Sequence, residues 1–234
     1  MKIALLGYGK MGQAIEQIAL QRGHQIVLKK TENNSFDGLE FADVAIDFST
    51  PTAAFENIST CLRQQIPIVS GTTGWLNQLA EIEKRCRDKK GCFIYSSNFS
   101  LGVNLFFQLN ETLANLLSPY SDYRVALEEI HHTQKLDAPS GTAISLANQI
   151  IENSNYCSWT LDKTNNATEI HIDALRQGVV PGTHTVRYTS PIDSIEIKHT
   201  AHNRSGFALG AVIAAEWLIG KTGVFTMKDV LGLG

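Results

Sequence analysis

The run Lys2-Ile3-Ala4-Leu5-Leu6-Gly7-Tyr8-Gly9-Lys10-Met11-Gly12 decides the fold. Its apolar start, Lys2–Leu6, suits a strand buried on both faces. The run breaks at Gly7. From Lys10 to Arg22 the apolar residues Met11, Ile15, Ile18 and Ala19 recur on one helical face, and Gly23 is the stop signal. A strand, a GxGxxG turn and a helix form the layout of a dinucleotide-binding unit. The first glycine permits a tight turn, the second lets backbone approach a pyrophosphate, and the third lets helix pack on strand. The helix start adds unpaired N–H groups and partial positive charge. A glycine-rich turn in another α/β protein has the same spelling, so the strand–turn–helix context carries the argument.

Beyond this run, short apolar stretches keep alternating with amphipathic ones. Gln25–Leu28, Val44–Asp47, Pro67–Val69 and Cys92–Tyr95 read as strands. A helix follows Ser49-Thr50 from Pro51, and Leu76–Lys90 reads as a charged-faced helix. This rhythm predicts an α/β fold with a Rossmann-type parallel sheet and helices on both faces. Ligands in such sheets lie beyond the carboxyl ends of the strands. Gly71-Thr72-Thr73-Gly74 and Ser96-Ser97-Asn98-Phe99 are placed there to meet a ribose and nicotinamide, although ordinary loop chemistry explains both turns as well. At the end of the second strand an acid would suit the ribose diol of NADH. Lys29 and Lys30 stand there instead, with Glu32 further on, and two lysines suit a 2′-phosphate. NADPH is therefore expected to bind at least as well as NADH, unless these are solvated loop charges. The cofactor contacts expected are Gly7, Tyr8, Gly9, Lys10, Met11, Gly12, Lys29, Lys30, Gly71, Thr72, Thr73, Ser96, Ser97, Asn98 and Phe99.

After Asn98 the rhythm changes. Leu101–Leu117 reads as one long helix, Tyr123–Ile130 as a strand, and Ser140–Ile151 as a helix. Glu169–Ala174, Thr183–Tyr188 and Ser194–Thr200 read as strands, Ser205–Ile219 as a final apolar helix and Thr226–Leu231 as a last helical turn. The stretch from Asn153 to Thr168, rich in Asn, Ser and Thr, reads as a loop. Few helices among several strands predict an open α+β sheet for the second domain.

With 43% hydrophobic and 18% charged residues over 234 positions, the chain can bury two small cores. A net charge of −3 without a basic run gives no electrostatic case for nucleic acid or an anionic membrane surface. No apolar run is long enough to span a bilayer, and Gly7 ends the N-terminal run too early for a secretory signal. Cys61, Cys86, Cys92 and Cys157 form no CxxC pair and no zinc spacing, which suits free thiols in a reducing cytoplasm.

The chemistry concentrates in Glu129-Ile130-His131-His132-Thr133-Gln134-Lys135-Leu136-Asp137-Ala138-Pro139-Ser140-Gly141-Thr142-Ala143. Two histidines, a lysine and an aspartate fall within seven residues between a strand and a helix. Histidine exchanges protons near neutral pH, and lysine offers a compact positive charge or an acid. Gly141 and Thr142 open the helix, so their N–H groups form a second anion site. A His-His pair can also be two surface residues or metal ligands. Adjacent strand residues point to opposite faces, which argues against a metal and allows the two rings different roles. No metal is expected.

This segment resembles the E-x-HHxxKxDAPSGTA signature of the dihydrodipicolinate reductase family. The resemblance runs through GxGxxG, GTTG at 71–74, SNFS at 97–100, Arg176-Gln177-Gly178, Gly182-Thr183-His184 and the helix after His199-Thr200-Ala201. Three departures stand out: a glycine turn one residue tighter than GxxGxMG, a short link between the second and third strands as in compact members, and lysines where some members carry an acid. The resemblance implies NAD(P)H-dependent reduction of a small cyclic dicarboxylate, 4-hydroxy-tetrahydrodipicolinate, to tetrahydrodipicolinate with loss of water. It implies His131 as proton donor and acceptor, Lys135 as a second donor, and His132, Gly141 and Thr142 as contacts to substrate carboxylates, with Arg204 as added positive charge. It further implies a cytoplasmic homotetramer joined through the second-domain sheet. Residues 1–100 would bind the dinucleotide and be completed by 205–234, the last helix returning to the first domain. Residues 101–204 would bind substrate and oligomerise, with hinges near Asn98–Leu101 and Ser205.

Overall fold

In strand β1 (Lys2–Leu6), Ile3 and Leu5 face one side and Ala4 and Leu6 the other, and all four are buried. This two-residue period lets one short apolar run serve two cores at once. The computed structural model describes residues 1–32, 34–203 and 205–233. The chain divides into two compact units, Met1–Leu101 with Ser205–Gly234, and Gly102–Arg204.

The first unit is built on β1, β2 (Gln25–Lys30), β3 (Val44–Asp47), β4 (Ile68–Ser70), β5 (Cys92–Tyr95) and, last in chain order, β11 (Gly223–Phe225). They lie in the order β2-β1-β3-β4-β5-β11, every neighbouring pair parallel. Helices α1 (Lys10–Gln21) and α6 (Ser205–Leu218) share a core with Ile3, Leu5, Val44 and Ile46 on one face. Helices α2 (Pro51–Arg63) and α3 (Leu79–Asp88) share a core with Ala4, Leu6, Ala45 and Phe93 on the other. The chain steps outward from β1 to β2, then returns past β1 to β3. That reversal opens a crevice at the carboxyl ends of β1 and β3, the switch point where doubly wound sheets take ligands.

The second unit has α4 (Leu101–Leu117), β6 (Arg124–His131), α5 (Gly141–Glu152), β7 (Ser158–Thr160), β8 (Glu169–Arg176), β9 (Gly182–Thr189) and β10 (Ser194–Ala201). Its sheet runs β10-β9-β6-β8-β7 and is mixed: β6 pairs antiparallel with β9 and parallel with β8. Val125 and Leu127 of β6, Ile170 and Ile172 of β8, and Val186 and Tyr188 of β9 pack with Phe106 of α4 and with Leu146 and Ile150 of α5. The short helix α7 (Met227–Leu231) closes the chain.

Four elements differ from the sequence expectation. Strand β2 runs on through Lys29 and Lys30, which continue the ladder to Leu5 and Leu6. Leu76–Gln78 is a separate 3-10 turn ahead of α3. β7 lies inside the stretch expected to be loop, and β11 was not expected at all. Both unexpected strands have three residues, too few for alternation to register; pairing with β8 and β5 makes them.

Candidate active site

The face of β6 that points inward reads Val125, Leu127, Glu129, His131. It starts apolar in the core and ends in a carboxylate and an imidazole, both buried. Across the sheet Glu129 pairs with His184 of β9, and His131 with Arg176 of β8. Four polar side chains are thus delivered to one place by strand register.

Glu129 sits at its centre, fully buried. Its Oε1 accepts from the Ser140 backbone N–H at 3.0 Å and from the Arg176 guanidinium at 3.2 and 3.3 Å. Its Oε2 lies 3.5 Å from His131 Nδ1 and 3.6 Å from His184 Nε2. The two rings meet edge to face with centroids 5.1 Å apart. Burial pushes the Glu129 carboxyl up, but the close His184 ring, hydrogen bonding from Ser140 and the nearby His131 imidazole outweigh it and hold the group down at about 2. Burial also lowers His131, to about 4, against the opposing pull of Glu129. His131 is therefore neutral at pH 7. Glu129, His131 and His184 bring three donor atoms within 4.8 Å of one another. Arg176 pairs with the same carboxylate, 3.2 Å from its Oε1.

Arg176 also ties down the loop after β6, donating to the Lys135 carbonyl at 3.3 Å and to the Asp137 carbonyl. The Gln177 N–H donates to the His131 carbonyl at 2.7 Å. Lys135 Nζ is 2.7 Å from both oxygens of Asp137, and this pairing lowers the Asp137 carboxyl. Ser140 caps α5 by accepting from Ala143 N–H at 3.2 Å, and its Oγ is 3.2 Å from His184 Nε2. Gly141 and Thr142 occupy the first helical turn, where N–H groups have no acceptor within the helix. His132 stands just past the end of β6, half-buried. The Arg204 expectation lies outside the described residues.

The glycine turn in the first unit matches its physical reading. Gly7 has φ of +96°, and a Cβ there would come 2.3 Å from the Phe48 carbonyl oxygen. A Cβ on Gly12 would come 2.3 Å from the Gly7 carbonyl oxygen, so helix and strand meet as closely as glycine allows. A Cβ on Gly9 would meet no protein atom. Gly9 caps α1, whose first turn carries no acid. A cavity of about 420 Å³ opens there, lined by Gly7, Tyr8, Gly9, Lys30, Thr31, Glu32, Phe48 and Ser49 among others. The backbone cradle, the helix start and the lysine fit a dinucleotide.

The two lysines do not act as a pair. Lys30 lines the cavity, whereas Lys29 turns to Glu16, 2.5 Å away, and to the Tyr8 hydroxyl at 3.3 Å. Adjacent strand residues point apart, the same rule that separates His131 from His132. Gly71, Thr72, Thr73 and Met11 line a second recess beside Phe48 and Ser49. Thr72 is already engaged there: it donates to Asp47 at 2.8 Å and accepts from Ser49 N–H at 2.9 Å. Ser96 and Asn98 bond within their own turn, and Phe99 is core, 5.8 Å from the Phe48 ring. The Phe99 side chain thus supports the turn from beneath. Glu129, Arg176 and His184 join the site without having been expected there from the sequence. The signal available for Glu129 was an acid on an otherwise apolar strand face, two residues before His131.

The family described as dihydrodipicolinate reductase matches by both of its parts, the N-terminal part over residues 1–99 and the C-terminal part over 102–231. A 4-hydroxy-tetrahydrodipicolinate reductase of Christiangramia forsetii is 59% identical over 99% of this chain and 98% of its own length. The enzyme of the same name from Thermosipho africanus is 35% identical over 99% and 98%. Among solved structures, dipicolinate-bound dihydrodipicolinate reductase from Paenisporosarcina sp. TG-14 shares the fold, with a TM-score of 0.77 at 23% identity over 98% of each chain.

Proposed function

The chain belongs to the dihydrodipicolinate reductase family, and we propose how its residues divide the NAD(P)H-dependent reduction of 4-hydroxy-tetrahydrodipicolinate, a step of diaminopimelate and lysine biosynthesis. One substrate, one reduced cofactor and one proton give one tetrahydrodipicolinate, one oxidised cofactor and one water. Residues 1–100 with 205–234 hold the dinucleotide, and residues 101–204 hold the substrate. When bound, the reduced nicotinamide supplies the hydride. Gly7, Gly9 and Gly12 let the backbone and the α1 start receive the pyrophosphate, and Lys30 meets the adenosine ribose.

The observation that carries this division is the buried Glu129–His131–His184–Arg176 cluster, joined to the start of α5 through Ser140. Gly141 and Thr142 N–H groups receive one substrate carboxylate, and His132 helps hold the dicarboxylate. Dipicolinate, bound in the Paenisporosarcina structure, is a planar dicarboxylate of this kind. Lys135 delivers the proton once the substrate replaces Asp137 at its ammonium. His131, neutral at rest, exchanges a proton with the reacting ring. Among the described residues no helix is long and apolar enough to cross a membrane. The cytoplasm, where NADPH is plentiful and thiols stay reduced, is the setting we assign.

The test is an NADPH and NADH oxidation assay with the hydroxy substrate generated in situ by its supplying enzyme. Stoichiometric cofactor oxidation with formation of tetrahydrodipicolinate is expected. Oxidation that does not depend on the hydroxy substrate would overturn the reading.

A further inference from the structure

Glu129 Oε2 and His131 Nδ1 are both buried, stand 3.5 Å apart, and among the described residues neither has a hydrogen-bond partner. A carboxylate oxygen only accepts, so the buried atom facing it has to be a donor. A lone pair on Nδ1 would leave both atoms unsatisfied and repelling. The pairing requires the hydrogen on Nδ1 and the lone pair on Nε2. Around Nε2 the fold keeps room: Gly182 lies beside it, and a Cβ there would come within 3.1 Å of that nitrogen.

The other Glu129 oxygen is fixed independently by Arg176 and by the Ser140 N–H. Ser140 is the cap of α5, whose first turn presents Gly141 and Thr142. One carboxylate therefore spans the imidazole and the helix start. We propose that Glu129 is a positioning residue that fixes His131 in the Nδ1–H tautomer, aims Nε2 at the reacting ring, and locks the carboxylate-receiving turn in register with it. The 3.5 Å separation closes to a hydrogen bond when substrate binds, as donor–acceptor contacts in catalytic sites tighten on complex formation. This inference rests on the reductase reading of His131.

Glu129→Gln tests it. The amide keeps the volume and can still accept from Ser140, but it turns an N–H₂ toward His131 or breaks the Arg176 pair. With the hydroxy substrate, kcat is expected to fall about 10²-fold or more, with KM changing less than about threefold, as expected for loss of tautomer control. Nitrogen-15 NMR of the ring is expected to show Nδ1–H in the wild type and a shift toward Nε2–H in the variant. In a His131→Ala background the same substitution should cost little further, because it acts through the ring. An unchanged tautomer, or a kcat loss of equal size in the His131→Ala background, would overturn the positioning role. A wild type that holds Nδ1–H but does not turn over the substrate would instead overturn the reductase reading.

Discussion

At the level of single residues, the structure separates side chains that the sequence places together. Lys29 and Lys30 are neighbours, yet one is held by Glu16 and the other lines the nucleotide cavity. Lys30→Ala is expected to lower kcat/KM for NADPH about tenfold while changing NADH little, and Lys29→Ala to change neither by more than about twofold; steady-state kinetics with both cofactors checks this. His131 makes a second prediction. Its conjugate acid is held at about 4, below the ordinary 6.5, by burial and by His184, Lys135 and Arg176, with Glu129 opposing. The unfolded chain therefore takes up that proton first as pH falls. The stability this contributes is present in full above 6.5 and is lost between 6.5 and about 4. Glu129 is lowered as well, to about 2 from 4.5, so its contribution is lost from 4.5 downward. Urea midpoints should drop across the upper window in the wild type and drop less in His131→Gln. The HHxxKxDAPSGTA string made His131 and Lys135 legible in the sequence. Glu129, Arg176 and His184 were not, because only strand pairing brings residues 129, 176 and 184 together.

At the level of elements, long periodic segments were legible and short ones were not. The alternation of β1 and the stripe of α1 follow from pattern alone. β7 and β11 acquire their conformation from a neighbouring strand, which no local pattern reports. The contact between β1 and α1 is the tightest test of the turn. Gly12→Ala would push a methyl to 2.3 Å from a backbone oxygen that cannot swing away. Overpacking of this kind costs about 1–3 kcal/mol, and thermal unfolding should show it together with a raised KM for both cofactors. An unchanged melting temperature would mean that the close packing is not needed.

For the whole molecule, the first unit is assembled from both ends of the chain, with β11 and α6 completing a sheet begun at β1. The return was legible in the change of rhythm at Asn98 and in the apolar run from Ser205. The second unit packs α4 and α5 against one face of its sheet. Its strands β9 and β10 carry an Arg187–Glu196 ion pair, with Lys198 also on β10. We assign this sheet to self-association as a homotetramer. Light scattering of the purified protein should give about four chain masses, and a monomer at micromolar concentration would contradict the assignment.

Reduction by this chain needs the second unit's proton donors, and not the glycine turn alone, on the reading proposed above. The most direct test of this is steady-state NADPH oxidation by Lys135→Ala and Thr142→Val beside the wild type. Lys135→Ala is expected to lose about 10²-fold or more in kcat, while Thr142→Val mainly raises KM for the hydroxy substrate. Near-normal turnover by Lys135→Ala would contradict it.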